Sequence, residues 1–104
     1  MKYRVEFSPA AERELRKLTS KLGKRDKKRL AECIESLADD PYSEGSKKMI
    51  GAEIYRIRSG DYRIAYTVRA GKLLVLVLKV GNRKEFYDRI KDVEKRAKAL
   101  FEED

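Results

Sequence analysis

Apolar and polar residues alternate from the start of the chain. Tyr3, Val5 and Phe7 take one side, Lys2, Arg4 and Glu6 the other. A period of two marks a strand with one buried face. The rhythm then changes. Ser8 suits a helix N-cap, Pro9 the first helical position, and Glu12 the positive end of the helix dipole. Ala11, Leu15, Leu18 and Leu22 follow near helical spacing until Gly23 breaks the run. A second helix is predicted from Lys24 to Ala38, with Leu30, Cys33, Ile34 and Leu37 inward and Lys27, Lys28, Arg29, Glu32 and Glu35 outward. Pro41 disfavours helix at the residue before it and ends the element. Residues 42–53 read as an irregular loop with exposed Lys47 and Lys48.

The second half is strand-rich. A short strand is expected over Ile54–Arg58, then a turn at Ser59-Gly60-Asp61. Tyr62–Val68 follows, with Tyr62, Ile64, Tyr66 and Val68 on one face. After a turn at Ala70-Gly71-Lys72, Leu73–Leu78 is continuously apolar, which suits a central strand covered on both faces. From Lys84 to Glu102, Phe86, Ile90, Val93, Ala97 and Leu100 recur at helical steps. The order β-α-α-β-β-β-α predicts a single α+β domain over residues 1–104. Its sheet is expected to be four-stranded and mostly antiparallel. A helical hairpin packs on one face, the other is left partly open, and a helix ends the chain.

Charge sharpens this picture. Charged residues make up 42% of the chain against a usual ~25%. Lys and Arg number 26 against 18 Asp and Glu, a net +8, which attracts polyanions. A surface that only keeps the chain in solution is the alternative. No cationic amphipathic helix with Trp or Phe anchors is present, so a membrane is not the expected partner. Cys33 is the only cysteine and histidine is absent, which removes a disulfide, a cysteine metal set and the commonest general base. Cys33 reads as a small core residue. Neither a cofactor nor a metal is expected. No apolar stretch reaches the length of a signal peptide or membrane span, so the expected location is the cytoplasm.

Alternation also gathers the candidate chemistry. Tyr55 and Ile57 share one face of their strand, Arg56 and Arg58 the other; in the next strand Arg63 points away from Tyr62 and Ile64. An in-register hairpin brings Arg56, Arg58 and Arg63 together. Arg83 follows the central strand closely enough to join them, and Tyr87 lies one helical turn further. Arginine forks match phosphate oxygens, and a tyrosine ring takes an unstacked base. The competing reading is a set of solvated arginines paired with Glu53, Asp61 and Glu85.

Three segments, taken in order, carry a resemblance. Tyr55-Arg56-Ile57-Arg58, Gly60-Asp61-Tyr62-Arg63-Ile64 and Val80-Gly81-Asn82-Arg83-Lys84-Glu85-Phe86-Tyr87 resemble the RelE branch of the RelE/ParE toxin superfamily. Phe7-Ser8-Pro9-Ala10-Ala11 and Asp40-Pro41 resemble it too. The resemblance implies the toxin of a type II toxin–antitoxin pair that cuts mRNA in the ribosomal A site and is silenced by a cognate antitoxin in a hetero-oligomer. The family's catalytic lysines then fall at Arg56 and Arg58, its transition-state arginine at Arg63, its later arginine at Arg83 and its tyrosine at Tyr87. Asn82 stands where many relatives carry His, and with Lys47 and Lys48 it is a candidate RNA contact. The implied reaction is attack of a 2′-hydroxyl on the adjacent phosphate, without metal. Arginine is a poor base, which leaves Glu53, Lys84 and Tyr87 as candidate proton acceptors. The other readings are a ParE-like inhibitor of DNA gyrase and a non-catalytic RNA-binding relative.

Overall fold

The computed structural model describes residues 2–43, 46–48, 54–88 and 95–96, with no side-chain description for Glu85, Tyr87 and Asp88. The elements are β1 (Arg4–Phe7), α1 (Pro9–Thr19), α2 (Lys24–Asp39), β2 (Lys47–Lys48), β3 (Tyr55–Ser59), β4 (Tyr62–Arg69), a single 3-10 turn (Ala70–Lys72), β5 (Leu74–Asn82) and α3 (Arg83–Asp88). Among the described residues no helix is long and apolar enough to cross a membrane.

The sheet has five strands in the order β1-β5-β4-β3-β2. Two expectations are corrected here. Lys47 and Lys48 form an edge strand on β3 where a loop was expected, so the sheet is not four-stranded. β1 pairs with β5 in parallel, which makes the sheet mixed. The long connection through α1, α2 and β2 to β4 lets β5 run in the same direction beside β1, as a single hairpin cannot. The predicted central strand does lie between two partners. It extends to Asn82, with a register shift opposite Ala65 and Tyr66. Helix α3 starts at Arg83, one residue before the expected start. Lys95 and Arg96 are again helical, and the rest of the expected span beyond Asp88 lies outside the described residues.

α1 and α2 pack on one face. Ser8 caps α1, its Oγ accepting from the Ala11 N–H at 3.1 Å. Ala11, Leu30 and Leu37 meet Ile57, Ile64, Tyr66, Val75, Val77 and Val80 of the sheet. Tyr66 is fully buried, its ring stacks on Tyr55, and its hydroxyl donates to the Pro41 carbonyl at 2.6 Å. Cys33 packs against the same core, where burial pushes its thiol pKa up. Burial also pushes the Tyr66 phenol up to about 12, against ~10 in an unfolded chain. The unfolded state therefore loses its proton first. Stability from Tyr66 is complete below pH ~10 and falls as pH rises towards 12, by a total on the order of 2 kcal/mol. Urea titrations between pH 9 and 11.5 are expected to show this decline in the native chain and a shallower one in Tyr66→Phe.

The opposite face was expected to be partly open. It is largely covered: Ala65, Thr67, Lys79 and Phe86 are buried. Helix α3 packs on β5 and β4, and a Cβ at Gly81 would lie 3.9 Å from the Phe86 nitrogen. That is an ordinary van der Waals distance, so the start of α3 lies close over the strand without requiring glycine there.

Beyond Val77, β5 has no strand on its β1 side among the described residues. Side chains take over its edge. Ser8 Oγ donates to the Leu78 carbonyl at 3.4 Å. Glu14, from α1, accepts from Lys79 Nζ at 2.8 Å, from Arg96 Nη1 at 3.1 Å and from the Val80 N–H at 3.3 Å. Arg96 Nη1 also reaches the Leu78 carbonyl at 3.0 Å. One carboxylate thereby neutralises a buried lysine, satisfies an edge amide and anchors a residue near the end of the chain.

Candidate functional site

Strands β3 and β4 are antiparallel, with Arg58 directly opposite Arg63 and Arg56 opposite Ala65. Opposed residues share a face, so Arg56, Arg58 and Arg63 lie together on the side away from α1 and α2. Lys47 opposes Arg56 and extends the row. Arg83 begins α3, and its N–H donates to the Asp61 carbonyl in the β3–β4 turn at 2.8 Å. That bond draws the start of α3 to the same turn. Arg58 and Arg83 are exposed and Arg56 is half-buried.

Arg63 differs from its expected placement. Alternation put it on the correct face, but it is 6% exposed rather than presented to solvent. Its Nη1 donates to the Gly60 carbonyl at 2.9 Å and the Tyr62 carbonyl at 3.1 Å. Burial lowers its pKa first; Arg58, Arg83 and Arg56 lower it further, and Asp61 opposes them weakly. An arginine keeps its proton at neutral pH, so the strain appears as repulsion rather than neutralisation. Among the described residues no ion pair to Arg58, Arg63 or Arg83 is formed; the Asp61 contribution to Arg63 falls short of one. Like charges directly across a ladder are destabilising. A bound anion relieves that repulsion, and planar forks favour one with several oxygens.

Other expected residues are placed as follows. Lys84 is exposed on the first turn of α3. Tyr87 sits on α3 one turn after Arg83, with its side chain undescribed, and Glu53 lies outside the described residues. Lys48 opposes Tyr55, which puts it on the α1/α2 side and away from the arginines. Asn82 opposes Tyr62 and lines a cavity beside α1, so it too stands off the arginine face. Sequence reasoning missed the β3–β4 turn as an organiser: consecutive carbonyls at Gly60, Asp61 and Tyr62 fix Arg63 and Arg83. Its only sequence signal was a glycine between two strands.

Gly60 has φ +60°, a left-handed conformation that costs other residues ~1–2 kcal/mol. Nothing lies within 4 Å of a Cβ there, so the cost is conformational. Gly60→Val is expected to tilt the carbonyl that holds Arg63, lowering turnover ~10–100-fold through misplacement of that charge. Gly60→Asn, which tolerates the left-handed region, should retain most activity. Turnover measured beside thermal melting checks the pair.

A buried arginine beside the exposed Arg58 and Arg83 and the half-buried Arg56, on a mixed sheet backed by two helices, gives a small α+β protein with a concentrated cationic patch. A family model described as the ParE toxin of the type II toxin–antitoxin system parDE matches residues 5–87. The chain belongs to this toxin family. The mRNA interferase toxin RelE of Escherichia coli strain K12 is 38% identical over 85 residues, covering 80% of this chain and 85% of that protein. The chain is also similar to the toxin–antitoxin complex RelBE2 from Mycobacterium tuberculosis. That match has a TM-score of 0.67 and 27% identity over 80% of this chain and 93% of that one. The intact E. coli RelBE toxin–antitoxin complex matches with a TM-score of 0.62 and 31% identity, over 77% of this chain and 95% of that one.

Proposed function

We propose that this chain is the toxin of a type II toxin–antitoxin pair and an mRNA endoribonuclease that works without metal, as one RelE-like domain. The observation that carries the reading is the convergence of Arg58, Arg83 and Arg56 on the buried Arg63. The relatives named mRNA interferase supply the substrate class.

In the proposed reaction the 2′-hydroxyl oxygen attacks the adjacent phosphorus. The bond from phosphorus to the 5′-oxygen breaks, leaving a 2′,3′-cyclic phosphate and a 5′-hydroxyl. The exposed Arg58 and Arg83 contact the phosphate, with Arg83 on the leaving oxygen. Arg63, already fixed by the turn carbonyls, contributes positive charge at no cost in reorganisation. Arg56 and Lys47 extend the cationic row along the strand. Tyr87 takes the neighbouring base. The 2′-hydroxyl proton passes to Glu53, Lys84 or Tyr87, and the leaving oxygen regains one from solvent or the same group.

The reaction takes place in the ribosomal A site and hence in the cytoplasm, and a cognate antitoxin silences it in a hetero-oligomer. Several solved relatives are toxin–antitoxin complexes, which supports that partner. Primer extension on cellular mRNA after brief induction is expected to show discrete new ends with the native chain and none with Arg83→Ala. Equal cleavage by both removes Arg83 from the site.

The parDE description of the matching family favours one second reading, inhibition of DNA gyrase by binding. Supercoiling arrested by the purified chain while mRNA stays intact would establish it in place of the first.

A further inference from the structure

Beside the arginine face, a cavity of about 360 Å³ opens between α1 and the edge of β5, lined by Glu14, Lys17, Lys21, Lys79, Gly81 and Asn82 among others. Glu14 does not set its charge, because Lys79 and Arg96 already share that carboxylate. Lys17 and Lys21 are exposed, and no ion pair to either is formed among the described residues. The lining holds three cations, Lys17, Lys21 and Lys79, against one anion, so the cavity suits an anion.

Its position says which one. Gly81 lines the cavity and also stands directly opposite Arg63 in the β4–β5 ladder. Asn82 lines it and is the residue before Arg83. Neighbouring strands are ~4.8 Å apart, so the cavity starts within about two strand spacings of the Arg63 backbone. Only the end of β5 separates the two sites.

We infer that the cavity between α1 and the β5 edge is a second phosphate subsite, in which Lys17 and Lys21 hold a flanking phosphate of the same RNA strand whose scissile phosphate lies among Arg58, Arg63 and Arg83. The inference rests on the proposed ribonuclease function. It adds a strand direction: RNA crosses the end of β5 from the arginine face to α1. It also accounts for lysines at positions with no part in the cleavage chemistry.

The test is equilibrium binding of uncleavable 2′-O-methyl oligoribonucleotides, a dinucleotide and a hexanucleotide, to the full chain at several KCl concentrations, read by fluorescence anisotropy. The double variant Lys17→Gln/Lys21→Gln removes two exposed charges without disturbing the core. Each phosphate contact to a single strand contributes ~0.7 to the slope of log K against log salt. The expected result is a hexanucleotide Kd raised roughly tenfold or more, a slope shallower by ~1.4, and an unchanged dinucleotide Kd. Equal affinity and equal slope in variant and native chain overturn the subsite, as does a native chain that binds the hexanucleotide no better than the dinucleotide. So does a variant that binds RNA normally but loses affinity for an acidic antitoxin peptide, which would assign the cavity to the protein partner. Cleavage is scored separately. A native chain that cuts no mRNA yet shows the lysine-dependent slope loses its proposed activity and keeps the subsite.

Discussion

Arg63→Ala is expected to reduce single-turnover cleavage of mRNA ~10²–10³-fold, the loss seen when one fixed charge-stabilising donor is removed. The size of the effect follows from how the residue is held. A solvated arginine must be ordered and stripped of water when substrate arrives. Arg63 is already 6% exposed, and its Nη1 is tied to the Gly60 and Tyr62 carbonyls. Its charge is therefore oriented before the reaction, where it stabilises most. Arg63→Lys keeps the charge but cannot donate a planar fork, and an intermediate loss is expected. Circular dichroism and melting should show both variants folded. Loss of a buried side chain and its two carbonyl bonds lowers stability, and relief of repulsion among the clustered cations offsets part of that loss. A variant that stays folded at the assay temperature and cleaves at least a hundredfold more slowly is the expected pattern.

Glu14→Ala should produce the largest loss of stability outside the apolar core. Lys79 is only 3% exposed, and its ammonium is paired to Glu14 at 2.8 Å. Taking away the carboxylate leaves a buried cation without compensation, a change that typically costs ~3–5 kcal/mol. The Val80 N–H on the strand edge loses its acceptor, and Arg96 loses its ion pair. A quarter of the Glu14 side chain remains exposed, which places the expected cost near the lower end, about 3 kcal/mol. That is a large part of the stability of a domain this size. Adding Lys79→Met to Glu14→Ala removes the stranded charge and should recover much of the loss. Urea unfolding of the four chains in the cycle measures it; independent, additive effects would contradict a coupled pair.

What the chain reveals by inspection, and what it conceals, divides along physical lines. Period-two and helical spacing report which face is buried, and those assignments hold for Tyr3 to Phe7, Ser8 to Leu18 and Tyr62 to Val68. Pairing by backbone alone leaves no such trace. Lys47 and Lys48 are two exposed lysines with no apolar alternation, yet they form a strand. The parallel join of β1 to β5 depends on which edge of the central strand is free, which no local pattern records. Depth is also concealed. Alternation placed Arg63 on the correct side, but burial came from the turn carbonyls and the cover over that face. Lys79 follows the apolar run, and no local pattern marks it as buried. It is buried because a glutamate 65 residues earlier reaches it. The arginine cluster was legible because a short hairpin fixes its own register, so Arg58 and Arg63 had to meet. Asn82 and Lys48 were expected as RNA contacts, and the pleat turns both of them away from the arginine face.

The central claim is that clustered guanidiniums drive attack by a neighbouring hydroxyl on an RNA phosphate. The chemical ends of the products test it most directly. Purified chain, mRNA and programmed ribosomes would be incubated with EDTA at a concentration that leaves the ribosomes intact, with free mRNA in parallel, and the fragments analysed by mass spectrometry. Fragments ending in 2′,3′-cyclic phosphate and beginning with 5′-hydroxyl, absent with Arg63→Ala, are the predicted outcome. Intact mRNA in both reactions, or fragments carrying 5′-phosphate and 3′-hydroxyl, would contradict it.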